Sequence, residues 1–151
     1  MTDDFTQNQT FDVPQGYQLL PWHRGFGRQV GPLFEKRDET GLTRGFRVEE
    51  HHTNGMGNAH GGMLMTFADM AWGGAVENDA DTWWVTVRLL VDFLSSAPVG
   101  AFVEGNGKVV GEVDGVITVE GKIWSEDRLL LRGTGIFKII ERRDGSSNTN
   151  R

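Results

Sequence analysis

Residues 62–76 read GMLMTFADMAWGGAV, and within them only Thr66 and Asp69 are polar. A helix that is apolar on nearly every side is enclosed by other protein rather than laid along a surface. The rest of the chain must therefore supply the enclosure. Asp69 is the exception in this run, because a carboxylate is almost never fully buried unless it is paired or has chemistry to do. It is the strongest lead to function in the sequence.

The flanking segments read as strands. Gly31 to Arg37 and Thr43 to His52 are two short ones around the turn Asp38-Glu39-Thr40-Gly41. A polar, glycine-rich loop from Thr53 to Ala59 leads into the helix, whose end falls near Glu77-Asn78-Asp79. From Trp83 to Leu94, the residues Val85, Val87, Leu89, Val91 and Phe93 alternate with Thr86, Arg88, Leu90 and Asp92. That is the period of a strand with one apolar side. Ser95 to Gly100 interrupts it. Phe102 to Val113, Gly115 to Trp124 and Leu129 to Ile140 read as three more strands, with Asp114-Gly115 and Glu126-Asp127 as turns. Two strands, one buried helix and four strands predict an α+β fold, an antiparallel sheet wrapped around one long central helix.

A length of 151 residues suits one domain with a real core. Residues 17–141 are predicted to form it, with 1–16 a flexible N-terminal segment and 142–151 a disordered tail. The 21 glycines fall largely at the edges of apolar runs, as expected for many short strands and turns. A net charge of −6 without any block of Lys or Arg argues against a nucleic-acid partner. With no cysteine, disulfides, thiolate metal sites and a cysteine nucleophile are excluded. The N-terminal MTDDFTQNQT lacks the basic-then-apolar pattern of a signal peptide, and the longest apolar run falls short of a membrane span. A cytoplasmic protein without membrane contact is expected.

The helix opens with His60-Gly61-Gly62. The first N–H groups of a helix have no intrahelical partner and carry partial positive charge, so a ligand oxygen can approach them closely where no side chain intervenes. Such a site suits an oxyanion hole; the same glycines also serve a tight turn or close packing. Asp69 follows Gly61 by eight residues, roughly 12 Å along the axis and about 80° around it. One carbonyl carbon cannot touch both groups on one helix. Two antiparallel copies across a twofold axis would bring the N-terminus of one beside the middle of the other. The alternative is a structural Asp69 bonded to Thr66, to a backbone N–H or to buried water.

Other polar residues carry weaker signals. Asn54 before Gly55 reads first as a turn residue, though its amide is able to donate to a substrate carbonyl. His51 and His52, adjacent on a strand, should point to opposite faces, and no carboxylate lies at ligand spacing, so no metal is expected. Thr86 reads as an ordinary strand residue. GxSxG and phosphate-binding Gly-Lys-Ser/Thr motifs are absent, against an α/β-hydrolase or a P-loop enzyme.

The stretch from Asn54 through His60-Gly61-Gly62 to Asp69, with the acid nine residues past the histidine, resembles the signature of hotdog-fold acyl-CoA thioesterases. The likeness is to the branch with the phenylacetate-pathway type and its animal relatives; related 4-hydroxybenzoyl-CoA thioesterases of one class carry Glu at the position of Asp69. It extends from about Gly31 to Ile140 and includes the Ala97-Pro98-Val99-Gly100 break and the strand Arg132 to Phe137. The resemblance implies a homodimer, commonly paired into a tetramer, that hydrolyses an acyl- or aroyl-CoA thioester without a metal or redox cofactor. It implies that the Gly61 N–H polarises the thioester carbonyl with help from Asn54. Asp69 of the other subunit would be nucleophile or base. Thr86 would orient the water, and His60 would hold the chain at the start of the helix.

A non-catalytic module binding an acyl thioester is the alternative, and a hotdog dehydratase or hydratase is a third reading. The hydratase Asp-x-Asn-x-x-His pattern is absent. Met63, Met65, Phe67, Met70, Trp72, Trp83 and Trp84 are candidates to line an acyl pocket and are core residues by default. Arg88, Lys122, Arg128 and Arg132 are the candidate contacts for CoA phosphates.

Overall fold

A computed structural model of the chain describes residues 11–22, 24–77 and 82–140. The tail at 142–151, most of the N-terminal segment and the expected helix end at Asn78-Asp79 lie outside the described residues. The elements in order are β1 (Gln18–Leu19), α1 (Gly25–Val30), β2 (Phe34–Asp38), β3 (Gly41–Arg47), α2 (Gly61–Gly73), β4 (Trp83–Phe93), β5 (Phe102–Val113), β6 (Val116–Ser125) and β7 (Arg128–Ile140). All strands join one antiparallel sheet in the order β1-β2-β3-β5-β6-β7-β4. The chain leaves the middle of the sheet after β3, crosses one face as α2 and re-enters at the far edge as β4. The expected sheet around a central helix is what forms. Among the described residues no helix is long and apolar enough to cross a membrane.

The four strands after the helix match their expected bounds to within a residue or so, because their turn chemistry is local. Asp114 and Gly115 both take positive φ, 51° and 76°, the backbone of a two-residue hairpin turn whose twist matches that of the flanking strands. Earlier in the chain, the structure differs from expectation. β2 begins at Phe34, three residues later than expected, and β1 and α1 precede it. β3 ends at Arg47, so His51 and His52 lie not on a strand but in a short 3₁₀ turn, Glu50–His52.

On α2, Met63, Leu64, Phe67, Ala68, Ala71, Trp72 and Gly73 are buried against the sheet. Gly62, Met65, Thr66, Asp69 and Met70 are not, and their spacing of three and four residues makes them one stripe along the helix. The run that reads as apolar all round therefore has one face its own sheet leaves uncovered. Phe67 and Trp72 are fully enclosed, and truncating side chains of that size in a core typically costs about 3–5 kcal/mol.

Several glycines explain how the helix lies so close. A Cβ added at Gly121 would stand 2.1 Å from the Trp72 ring, and one at Gly107 would stand 3.1 Å from the Trp72 Cα. A Cβ at Gly105 would meet Phe67 at 3.0 Å and Ala71 at 3.1 Å. These glycines sit inside β5 and β6 rather than at the edges of apolar runs, where the composition alone would place them. They form a trough in the sheet into which the largest helix side chains fit.

Candidate active site

At the head of α2, His60 is the N-cap residue, and its Nδ1 accepts from the Gly62 N–H at 2.8 Å. The Cβ that a larger residue would bring at position 62 would lie 3.0 Å from that nitrogen, so the glycine lets the ring fold back over the first turn. Nδ1 is the acceptor, so a neutral His60 carries its proton on Nε2. The neighbouring Gly61 N–H has no partner among the described residues, and Phe93 of β4 lies beside it, 3.4 Å from where a Cβ would stand. Of the first two N–H groups of the helix, one is satisfied and one is open among the described residues.

Two turns further along, the Thr86 hydroxyl donates to Oδ1 of Asp69 at 2.5 Å. Burial raises the Asp69 carboxyl above its ordinary value, and the Thr86 hydrogen bond partly opposes that shift by favouring the ionised form. Among the described residues no cation pairs with Asp69. A half-buried carboxylate with one hydroxyl partner keeps an oxygen free to take a proton or attack a carbon.

Thr86 reaches Asp69 because of an irregularity that the alternation of β4 conceals. Thr86 pairs with Phe137 and Arg88 with Ile136, so Val87 is an extra residue without a partner on β7. The bulge switches which residues face the helix. Before it, Trp84 and Thr86 face inward and Val85 is 44% exposed; after it, Leu89 and Val91 pack on the core. The expected single apolar face running from Val85 to Phe93 is thus two half-faces. Val87, 59% exposed, belongs to neither.

Asn54 lies in the loop before the helix, where its Oδ1 accepts from the N–H groups of Met56 at 2.9 Å and Asn58 at 3.3 Å. It is the turn residue its position before Gly55 suggests, and its amide Nδ2 has no partner among the described residues. Asn54, His60 and Gly61 gather at one end of α2, while Asp69 and Thr86 meet at its middle. One chain does not bring the two groups together.

His51 and His52 do not point to opposite faces. Their rings lie 3.9 Å apart, a consequence of the 3₁₀ turn. His52 is buried; its Nδ1 accepts from the Glu49 N–H at 3.0 Å, and its Nε2 lies 2.8 Å from the Val30 carbonyl. Burial holds its pKa below the ordinary value, as suits a neutral ring bridging two backbone segments. Of the four cations considered for CoA phosphates, Lys122 and Arg132 stand opposite each other on β6 and β7, with Asp92 opposite Arg132 on β4, whereas Arg128 donates to the Ser96 carbonyl.

One buried cation has little signature in the sequence. Arg44, 3% exposed, donates to the Met70 carbonyl at 2.6 Å and to Glu77 at 3.0 and 3.2 Å. A lone arginine within the compact run Leu42-Thr-Arg-Gly-Phe46 was the signal available for it.

The thioesterase superfamily is the family whose sequence model matches, over residues 56–131. A Pseudomonas aeruginosa protein, PA0474, whose name assigns it provisionally to the esterases, is 31% identical over 131 residues, which are 85% of this chain and 98% of that protein. Among solved structures, the Escherichia coli PaaI protein from the phenylacetic acid degradation operon superposes with a TM-score of 0.67 at 20% identity, over 76% of this chain and 83% of that one. The BH2602 protein of Bacillus halodurans, crystallised with CoA, superposes with a TM-score of 0.65 at 23% identity, over 76% of each chain.

Proposed function

Because the chain belongs to the thioesterase superfamily, with the hotdog arrangement of sheet and helix, we propose that it hydrolyses an acyl- or aroyl-CoA thioester to the free acid and CoA. The observation that carries this reading is Asp69, a carboxylate on the uncovered stripe of α2 that a hydroxyl holds and that no cation among the described residues neutralises. Asp69 acts as the base for water or as the nucleophile, and Thr86 holds the carboxylate in place. The Gly61 N–H, assisted by the Asn54 amide, receives the negative charge that develops on the thioester oxygen. His60 shapes the first turn of the helix and moves no proton. The reaction needs no metal or redox cofactor. CoA as the thiol is supported by its presence in the crystals of the Bacillus halodurans protein.

The site is shared between two copies of the chain. Gly61 and Asp69 lie roughly 12 Å apart along one helix, too far for one carbonyl to meet both. An antiparallel second copy would place each Gly61 against the other's Asp69 and cover the stripe of Gly62, Met65, Thr66 and Met70. β4 supports the same assembly. It is an edge strand of 11 residues with Val87, Leu90 and Phe93 exposed, and an unprotected edge of that kind invites pairing.

Release of free thiol from a panel of acyl-CoA and aroyl-CoA esters tests the reaction, and subunit mixing tests the shared site. Asn54→Ala and Asp69→Asn chains, each impaired alone, are mixed and their exchange followed with mass-tagged chains. In a random mixture about half the dimers are heterodimers with one intact site, so roughly a quarter of wild-type activity returns. Exchange without recovery would confine the site to one subunit.

A further inference from the structure

Arg44 is the buried charge that this mechanism leaves unused. Its Nη1 donates to the Met70 carbonyl at 2.6 Å, and its Nη2 donates to both carboxylate oxygens of Glu77. Its Nε lies 3.6 Å from Glu35, and its guanidinium stacks 5.2 Å from the Trp22 ring centroid. Glu77 also accepts from the Trp84 indole N–H at 3.4 Å. Met70 follows Asp69 directly on α2. Trp84 stands two residues before Thr86 on β4, on the same face. The indole lies so close over the helix that a Cβ at Gly73 would be 2.2 Å from it.

One side chain therefore touches α2 directly and is linked through Glu77 to Trp84 of β4, the two elements that must meet for Asp69 and Thr86 to bond. β7 fixes the position of β4 within the sheet but does not set its spacing from α2. Near the C-terminal end of α2, that spacing rests on the Trp84 ring against Gly73 and on the Arg44–Glu77–Trp84 chain. A guanidinium suits the task because its planar fork donates in several fixed directions at once, which an ammonium does not.

We propose that Arg44 is a positioning residue for the Asp69–Thr86 pair, holding α2 through the Met70 carbonyl and β4 through Glu77 and Trp84. This rests on the reading of Asp69 as base or nucleophile. A residue that only stabilises the fold would leave the properties of the folded site alone, whereas a positioning residue changes them.

The test compares kcat, KM and the pH profile of kcat on one acyl-CoA for folded Arg44→Lys, Thr86→Val, the double variant and Asp69→Asn. Losing the Thr86 bond removes an interaction that favours the ionised carboxylate, so Thr86→Val moves the acidic limb of the profile upward. Arg44→Lys is expected to lower kcat roughly tenfold with KM little changed, because misplaced catalytic groups act on the chemical step. It should move the same limb in the same direction and add nothing further in the Thr86→Val background. A folded Arg44→Lys enzyme with the wild-type limb, or a double variant whose losses multiply, overturns the inference while the reading of Asp69 stands. If Arg44→Lys does not fold, Glu77→Gln, which keeps the shape of the side chain and removes the charge that links Arg44 to Trp84, is held to the same shift and the same lack of effect beside Thr86→Val. Wild-type turnover by Asp69→Asn would overturn both the reading and the inference.

Discussion

Two ionisable side chains lie against the same helix, and their surroundings are opposite in kind. Arg44 packs against the C-terminal end of α2, almost wholly buried, with a backbone carbonyl, Glu77, Glu35 and an aromatic face around it. Asp69, in the middle of the helix, is half-buried and has one hydroxyl partner. A buried charge that serves structure is surrounded by acceptors and counter-charge, because an unpaired one is costly; both terminal nitrogens of Arg44 donate, and its Nε faces Glu35 at 3.6 Å without a hydrogen bond. A carboxylate left partly desolvated and unpaired is held in a less favourable ionised state, and its reactivity is the return for that. The comparison teaches that burial alone does not mark a site. On the proposed reading, the lack of a counter-charge among the described residues does.

The sharpest way to break this contrast is to remove each charge and follow stability. Arg44→Met leaves Glu77 and Glu35 without their cation; both are partly solvated, so the loss should sit near the low end of the usual range, about 3 kcal/mol. Denaturant unfolding monitored by tryptophan fluorescence reads it directly. A stability equal to the wild type would mean that the arginine network does not hold the fold.

Asp69→Asn should do the reverse. Turnover is expected to fall at least roughly a hundredfold, while the folded state is unchanged or slightly more stable. The pH dependence sharpens the point. The folded Asp69 carboxyl titrates above its unfolded value, so in the interval between the two the folded chain binds more protons, and stability falls as pH rises through it. The asparagine variant lacks that fall. Its stability relative to the wild type should therefore increase from acid toward neutral pH and then level off. The acidic limb of wild-type turnover should likewise lie above the ordinary value of an aspartate carboxyl. A constant difference across pH, or an asparagine variant that unfolds, would show Asp69 to be structural.

The smallest expected effect concerns the other end of α2. His60→Ala removes the ring nitrogen that accepts from Gly62 and should cost about 1 kcal/mol, as loss of an N-cap does. His60→Asn restores a capping acceptor and should recover most of the stability and the turnover. If His60→Asn is stable but inactive, the histidine does more than shape the turn.

The sequence by itself determined the helix, because a run with only two polar residues leaves few alternatives, and it singled out Asp69 as the residue out of keeping with its setting. It also determined the β5–β6–β7 meander, whose turns depend on adjacent residues such as Asp114-Gly115. His60-Gly61-Gly62 marked the helix start for the same reason. What involved distant partners was not legible. The bulge at Val87 exists only in the pairing of β4 with β7, so perfect alternation hid the switch that turns Thr86 toward Asp69. The glycines of β5 and β6 resembled turn residues until Trp72 lay on them. His51 and His52 extended an apparent strand that the 3₁₀ turn ends. Arg44 finds its partners 26 residues on at Met70 and 33 residues on at Glu77, across the helix. Periodicity and turn chemistry act over a few residues, whereas register, close approach and counter-charge are settled only when the sheet closes around α2.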